Sequence, residues 1–260
     1  MSNEYWANRM ANAQNALTNK SIKQIEKQLA KYYGKTAKRV ISDFEATYNK
    51  ILAQRADGKD VSPADLYKLD SYWKMQGQLR QELQKLGEKE ISLLTKYFEI
   101  NFFEIYYSIE LENLSTFTTI DSAGAMQLIN SIWVADGKSF SQRIWDNTEQ
   151  LVDTLNEGLV HCIVTGKKTT ELKNILQERF SVSYNNADMI ARTELAHVQT
   201  EAAKQRYKDY GIQQVEIWAD PDERTCEICG KLHQQKYEVG AHVPIPAHPR
   251  CRCCIIPVVE

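Results

Sequence analysis

The cysteines of this chain are concentrated near its C-terminal end, and their spacing restricts what that end can fold into. Five of the six cysteines, three of the five histidines and five of the six prolines fall within the last fifty of 260 residues. The spacing is Cys226-x2-Cys229, then eighteen residues, then His248-x2-Cys251-x-Cys253. A Cys-x2-Cys turn directs two sulfurs at one point, and a second short element can supply two more ligands, as tetrahedral zinc requires. We therefore expect one structural Zn²⁺ per chain.

Five side chains compete for the four positions of such a site. The Cys-x2-Cys pair is the best-supported half of the ligand set, and two of His248, Cys251 and Cys253 would complete it. In an extended run, Cys251 and Cys253 project to one face and Cys254 to the other, which makes Cys254 the weakest candidate. We favour His248 and Cys251, with Cys253 close behind.

A disulfide staple, a catalytic thiol and merely buried cysteines are the alternatives to a metal site. The start "MSNEYWANRM" has no apolar signal region, so we expect a reducing compartment, where clustered cysteines are more often metal ligands. A catalytic thiol needs an oriented base, and nothing in the sequence singles out one thiol. Asp220, Asp222 and Glu223 offer a base in principle, but "ADPDERT" is equally typical of a polar turn, which we favour.

The first 210 residues have the apolar periodicity of helices. The segment 21–52 carries one apolar stripe, with Ser21 and Gln24 as a capping box at its start. The stripe consists of Ile22, Ile25, Leu29, Tyr33, Ala37, Val40, Phe44, Tyr48 and Ile51. The opposite face carries five lysines that could contact DNA phosphates or an acidic partner, or could simply be solvated; they are Lys23, Lys27, Lys31, Lys35 and Lys38.

Further helices are expected from Pro63 to about Leu86, with a break at Gly87, and then over 88–114 as a helix with apolar residues on nearly every face. Others are predicted over 139–164, 168–179 and 184–210, and "QQVEIWAD" is typical of a strand. No stretch approaches eighteen uncharged apolar residues, so we expect no membrane contact.

The predicted fold class is mainly α, with an elongated helical N-terminal body and a small α+β C-terminal domain stapled by zinc. We divide the chain into a helical arm over 1–120, a second helical part over 121–210 and a strand-and-loop region over 211–260. This last region is too small to build a large core, which is why it needs a staple.

Polar residues close together on the helix before the strand could form a second site. Arg192 and Glu194 stand beside His197 in "ARTELAHVQ". We favour a structural role, in which they tie this helix to the strand region by charged hydrogen bonds. His161 and Cys162 are similarly expected to be core residues. No phosphate-binding loop, nucleophile elbow or dinucleotide fingerprint is present.

Three motifs in order resemble a known family. They are "ARTE", then W-x-D-x-D-x-R-T-C-x-x-C, which includes Trp218, Asp220, Asp222 and Arg224, and then "HPRCRC". Together they resemble the minor head protein, or head morphogenesis, family of tailed bacteriophages, typified by protein F of phage Mu. The resemblance covers about residues 140–260. One departure is that relatives usually have glycine in an L-x-G step where this chain has "LHQ", ending at Gln234.

The resemblance implies a virion component that associates with the portal vertex during procapsid assembly in the host cytoplasm and enters the head with, or before, the DNA. Its implied partners are the portal, scaffold and major capsid proteins, with packaged DNA nearby. The family's C-terminal domain has been likened to the ADP-ribosyltransferase fold, but no convincing nicotinamide-site residues are seen here. We therefore expect a non-enzymatic head morphogenesis protein; the alternative is a zinc-containing enzyme, a nuclease or ADP-ribosyltransferase-like protein, carried in the virion.

Overall fold

Helices dominate the computed structural model of the chain. It describes residues 3–56, 62–111, 119–134, 136–219, 223 and 225–258. The described helices are α1 (Asn3–Ala56), α2 (Pro63–Leu66), α3 (Asp70–Ser108), α4 (Ser122–Ile129), α5 (Phe140–Thr165), α6 (Thr169–Asp209) and α7 (Glu227–Leu232). The described strands are β1 (Gln214–Trp218), β2 (Lys236–Glu238) and β3 (Cys254–Pro257). The chain is therefore mainly α, as predicted.

The three strands form one antiparallel sheet in the order β2-β1-β3. β1 pairs with β2 from Gln214 opposite Glu238, and with β3 from Val215 opposite Pro257 to Trp218 opposite Cys254. β3 is buried along its whole length, which matches its run of apolar residues. The strand predicted from "QQVEIWAD" is thus the centre of the sheet.

The first helix is longer than the sequence pattern predicts. α1 runs from Asn3, so the capping box predicted at Ser21 is wrong. Ser21 is buried inside the helix, and its hydroxyl accepts a hydrogen bond of 2.9 Å from Asn101 Nδ2. The predicted stripe is correct, since every member is buried except Ala37, which is partly exposed.

Two predicted helix breaks are also wrong. α3 continues through Gly87, where the absence of a Cβ admits the Trp145 ring: an added Cβ would lie 2.7 Å from Trp145 Cζ3. α6 continues through 180–183, where Phe180 and Ser183 are buried and the Ser183 carbonyl accepts a 2.9 Å hydrogen bond from Asn147 Nδ2. Tertiary contacts override the weak local helix propensity in both places.

The chain divides into two compact units. One comprises Met1–Ile25, Leu93–Phe140 and Met189–Glu260, and the other comprises Glu26–Ser92 and Ser141–Asp188. The first unit contains the sheet, and its helical core includes a buried polar chain from Ser21 through Asn101 to Gln199. The second unit has a mainly apolar core, and its described residues include two buried acids, Glu90 and Asp188. The C-terminal motifs all lie in the first unit.

Candidate metal centre

The Cys-x2-Cys pair lies on the first turn of α7. Cys226 is the N-cap residue, and its Sγ accepts a hydrogen bond of 3.5 Å from the backbone N–H of Cys229. Cys226 is exposed, whereas Cys229 is 5% exposed. The helix start therefore directs both sulfurs to the same side, as the spacing predicted.

The second half of the candidate centre is the turn that leads into β3. The backbone N–H of Cys251 donates a hydrogen bond of 3.1 Å to the carbonyl of His248, which closes the turn. Arg250 adopts a φ of 61° within it, a left-handed conformation that a non-glycine residue rarely takes. Cys251 and Cys253 are both buried. The turn brings His248 and these two cysteines to the α7 pair.

The five predicted donors meet in two overlapping groups that share Cys229. In one group Nε2 of His248 lies 3.3 Å from Cys226 Sγ and 3.1 Å from Cys229 Sγ. In the other, Cys229 Sγ lies 3.7 Å from Cys251 Sγ, and Cys253 completes a set whose ligand atoms are all within 4.8 Å of one another. Zinc–sulfur bonds of about 2.3 Å place two sulfurs of a tetrahedral site about 3.7 Å apart. The cluster could therefore bind a metal ion.

The thiols influence one another strongly. A hydrogen bond with Cys253 lowers the pKa of Cys251 to about 5, and the same bond raises the pKa of Cys253. Burial raises the pKa of Cys229 to about 12, while the N–H of Cys229 lowers the pKa of Cys226. Without a cation, one thiolate thus suppresses ionisation of its neighbours. A bound metal would reverse this and favour several thiolates at once.

Cys254 belongs to neither group of clustered donors among the described residues. It is the first residue of β3, pairs with Trp218 of β1 and is 1% exposed. Cys162 is buried in α5, as expected of a core residue, but the prediction is wrong for its neighbour His161, which is exposed.

The "ARTE" motif contacts two other parts of its unit. The indole N–H of Trp133 donates a hydrogen bond of 2.9 Å to Oε2 of Glu194, whose side chain is 3% exposed. The Trp133 ring also stacks on His197, with ring centroids 4.5 Å apart and planes 11° apart. Thr193 accepts a hydrogen bond from the backbone of Arg250. Arg192 is partly exposed on the same helix.

Of the remaining predicted motif residues, the structure describes only Trp218. Trp218 ends β1, and its ring packs edge-to-face on His233 with centroids 4.6 Å apart. Asp220, Asp222 and Arg224 lie outside the described residues. Sequence reasoning missed Trp133 and Thr193 as contacts of the motif region, because no local pattern reveals pairings across such long sequence separations.

The five predicted contact lysines are all exposed on α1. The structure therefore places them where a partner could reach them; they are Lys23, Lys27, Lys31, Lys35 and Lys38. Within the described part of the chain, no helix combines the length and apolar character needed to cross a bilayer.

Comparisons with known proteins found one similar protein and one matching family model. NAD(+)–arginine ADP-ribosyltransferase EFV of Enterococcus faecalis is 25% identical over 185 residues, which cover 64% of this chain and 38% of that protein. The match therefore spans about two fifths of the relative's length. No solved structure matches the chain significantly. A family model described as Phage Mu protein F like protein matches residues 153–256. The resemblance inferred from the motifs is thereby confirmed for residues 153–256, which are similar to the Phage Mu protein F like proteins.

Proposed function

We propose that this protein is a minor head protein that acts in head morphogenesis at the portal vertex, without enzymatic activity. The observation that carries the proposal is the family match over 153–256, which contains the whole Cys/His cluster. The protein would act in the host cytoplasm during assembly and remain inside the head of the virion. Its partners would be the portal, scaffold and major capsid proteins.

We further propose that the cluster binds one structural Zn²⁺ through Cys226, Cys229, His248 and Cys251. A site in which all four positions are protein ligands leaves no place for a reactive water, so its contribution is to folding. Cys253 would then support the site by hydrogen bonding to the Cys251 sulfur, as outer-sphere donors commonly do. The metal would hold α7 and the turn before β3 together.

The test is co-expression with the portal, scaffold and major capsid proteins of the same phage. We expect the chain to co-purify with portal and to be found in procapsids. A Cys229→Ser variant should be incorporated into procapsids less efficiently, because the C-terminal region would lose the metal that joins α7 to the turn before β3. Absence of the wild-type chain from both portal complexes and procapsids would contradict the proposal.

A second candidate function is enzymatic, and the similarity to an ADP-ribosyltransferase favours it. An ADP-ribosyltransferase-like fold for the C-terminal domain stays a proposal from the family resemblance. Glu194 would be the residue to test, but it is buried and paired with Trp133. Turnover of NAD by the metal-loaded chain that is lost with Glu194→Ala would favour the enzyme. For the zinc-nuclease alternative, the supporting result would be DNA cleavage by the wild-type chain that is lost in Asp222→Ala.

The exposed lysines of α1 support a contact with packaged DNA as part of the head function. Phosphate contacts make binding depend strongly on salt, because counterions are released. DNA retention that falls with salt and is lost in Lys27→Glu/Lys31→Glu would support this contact. Salt-insensitive or absent retention would count against it.

A further inference from the structure

An apolar groove lies between α1 and α6 within the unit formed by Glu26–Ser92 and Ser141–Asp188. Its volume is ≈ 570 Å³. Aromatic side chains form its walls and small α1 residues its floor; the main ones are Ala30, Tyr33, Gly34, Ala37, Phe180 and Tyr184. The groove is therefore shaped to receive an apolar ridge rather than a small polar ligand.

Space above Gly34 is open. A Cβ at this position would meet nothing within 4 Å, whereas a Cβ at Gly87 would collide with Trp145. Glycine inside a helix costs about 1 kcal/mol relative to alanine. Intrachain packing explains Gly87 but neither Gly34 nor Gly77, and of these three glycines only Gly34 lines the groove. An outside side chain placed against the α1 backbone would use the space at Gly34.

The α1 side of the groove is cationic. Lys27, Lys31 and Lys38 are exposed on the helix that forms the floor. The α6 side is lined by neutral polar residues, represented by Gln177 and Asn185, and the acid Glu178 is exposed next to them. An occupant with apolar residues on one face and carboxylates beside them would complement this groove in both shape and charge.

The chain itself has such a surface on α3. Ile100 is 38% exposed and Tyr107 is 52% exposed, and Glu104 is exposed between them. Phe103 is partly exposed and stacks on Tyr107, with ring centroids 6.0 Å apart. No Lys or Arg occurs between residues 97 and 137. The segment 100–107, hereafter the α3 ridge, is thus aromatic and acidic at helical spacing.

We propose that the groove of one copy binds the α3 ridge of a second copy. Tyr107 and Phe103 would lie over Gly34, and Glu104 would face the lysine side. A contact between two different surfaces either closes reciprocally as a dimer or continues from copy to copy into a ring or an open chain. Duplex DNA fits this groove less well, because its phosphates gain nothing from aromatic walls.

Sedimentation velocity of the full chain over a concentration series tests the proposal. We expect the sedimentation coefficient to rise with concentration as a dimer or larger species forms. Gly34→Gln should fill the groove and weaken association by about tenfold or more, equivalent to about 1.4 kcal/mol. Gly77→Gln is the matched control, since Gly77 is also an exposed helical glycine with nothing within 4 Å of its Cβ position. It should associate like the wild type.

A charge exchange adds a second criterion. Lys31→Glu should weaken association, and adding Glu104→Lys to Lys31→Glu should restore it. A wild-type chain that stays monomeric throughout would overturn the proposal, whether or not the lysines retain DNA. Association that is indifferent to Gly34→Gln would overturn it equally, because the contact would then lie elsewhere.

Discussion

The backbone N–H of Arg250 donates a hydrogen bond of 3.1 Å to the hydroxyl of Thr193. This bond joins the "ARTE" motif on α6 to the turn that carries His248 and Cys251. Thr193 also donates to the Met189 carbonyl at 2.7 Å, which fixes the orientation of its hydroxyl. Two motifs that are far apart in sequence are thus one structural feature.

Replacing Thr193 by valine should loosen the turn before β3. The change removes the acceptor for the Arg250 N–H, and a lost hydrogen bond of this kind costs about 1 kcal/mol. Hydrogen exchange of the Arg250 amide should become faster, and metal should be lost more readily to a chelator. Thr193→Ser keeps the hydroxyl and should behave like the wild type. Unchanged exchange in Thr193→Val would show that the bond does not hold the turn.

Replacing Cys229 by serine should remove the metal and destabilise residues 211–260. Cys229 is the donor shared by both groups of the cluster, and metal binding is coupled to local folding. Limited proteolysis should therefore cut this region faster. Cys162→Ser is the control: it removes a buried thiol elsewhere and should retain the metal. Equal metal content in the two variants would exclude Cys229 as a ligand.

Gln234, where the family resemblance led us to expect a glycine, adopts a φ of 64°. Its backbone N–H donates a 2.8 Å hydrogen bond to the Ile217 carbonyl, so the turn is fastened to β1 in this conformation. Adopting the left-handed backbone conformation costs a non-glycine residue about 1–2 kcal/mol of conformational free energy. Gln234→Gly should raise the free energy of unfolding by up to about 1 kcal/mol. Gln234→Ala should not, and a destabilised Gln234→Gly variant would contradict the account.

Glu90 should make stability fall as pH rises. Burial raises its pKa to about 8, although a hydrogen bond with Tyr33 opposes the shift, and its Oε1 has no hydrogen-bond partner. The unfolded chain releases this proton near pH 4.5 and the folded chain near pH 8, so the folded state binds more protons between them. Linkage then lowers the free energy of unfolding by about 1.4 kcal/mol per pH unit in that window.

Glu90→Gln tests this pH dependence, because glutamine is neutral at every pH. Chemical denaturation should show the variant near wild-type stability at pH 5 and several kcal/mol more stable at pH 9. A difference between the two proteins that does not change with pH would contradict the assignment.

Two helical glycines should respond oppositely to alanine. Gly87→Ala should destabilise its unit, because the new Cβ would lie 2.7 Å from the Trp145 ring, and crowding of this kind costs about 1–3 kcal/mol. Gly77→Ala meets nothing and should stabilise by about 0.5–1 kcal/mol through helix propensity. Thermal unfolding of the two variants measures both changes in stability. Equal changes in Tm would show that the Trp145 ring does not occupy the space beside Gly87.

Patterns that depend on near neighbours in the sequence predicted much of this structure. Local spacing predicted the apolar stripe of α1 and the central strand. The spacing within each half of the Cys/His cluster likewise predicted that the two halves would come together. The continuity of α3 and α6 could not be predicted, because it depends on Trp145 and Asn147, which come from another helix. The pairs Trp133–Glu194 and Thr193–Arg250 are 61 and 57 residues apart, and no local signal indicates them. The division at 120 and 210 stays a prediction.

We propose that the C-terminal motifs form a structural metal centre, and native mass spectrometry of the full chain measures its metal content directly. We predict one zinc ion per folded wild-type chain and none in Cys229→Ser. A wild-type chain that is folded through residues 211–258 and carries no metal would contradict the claim.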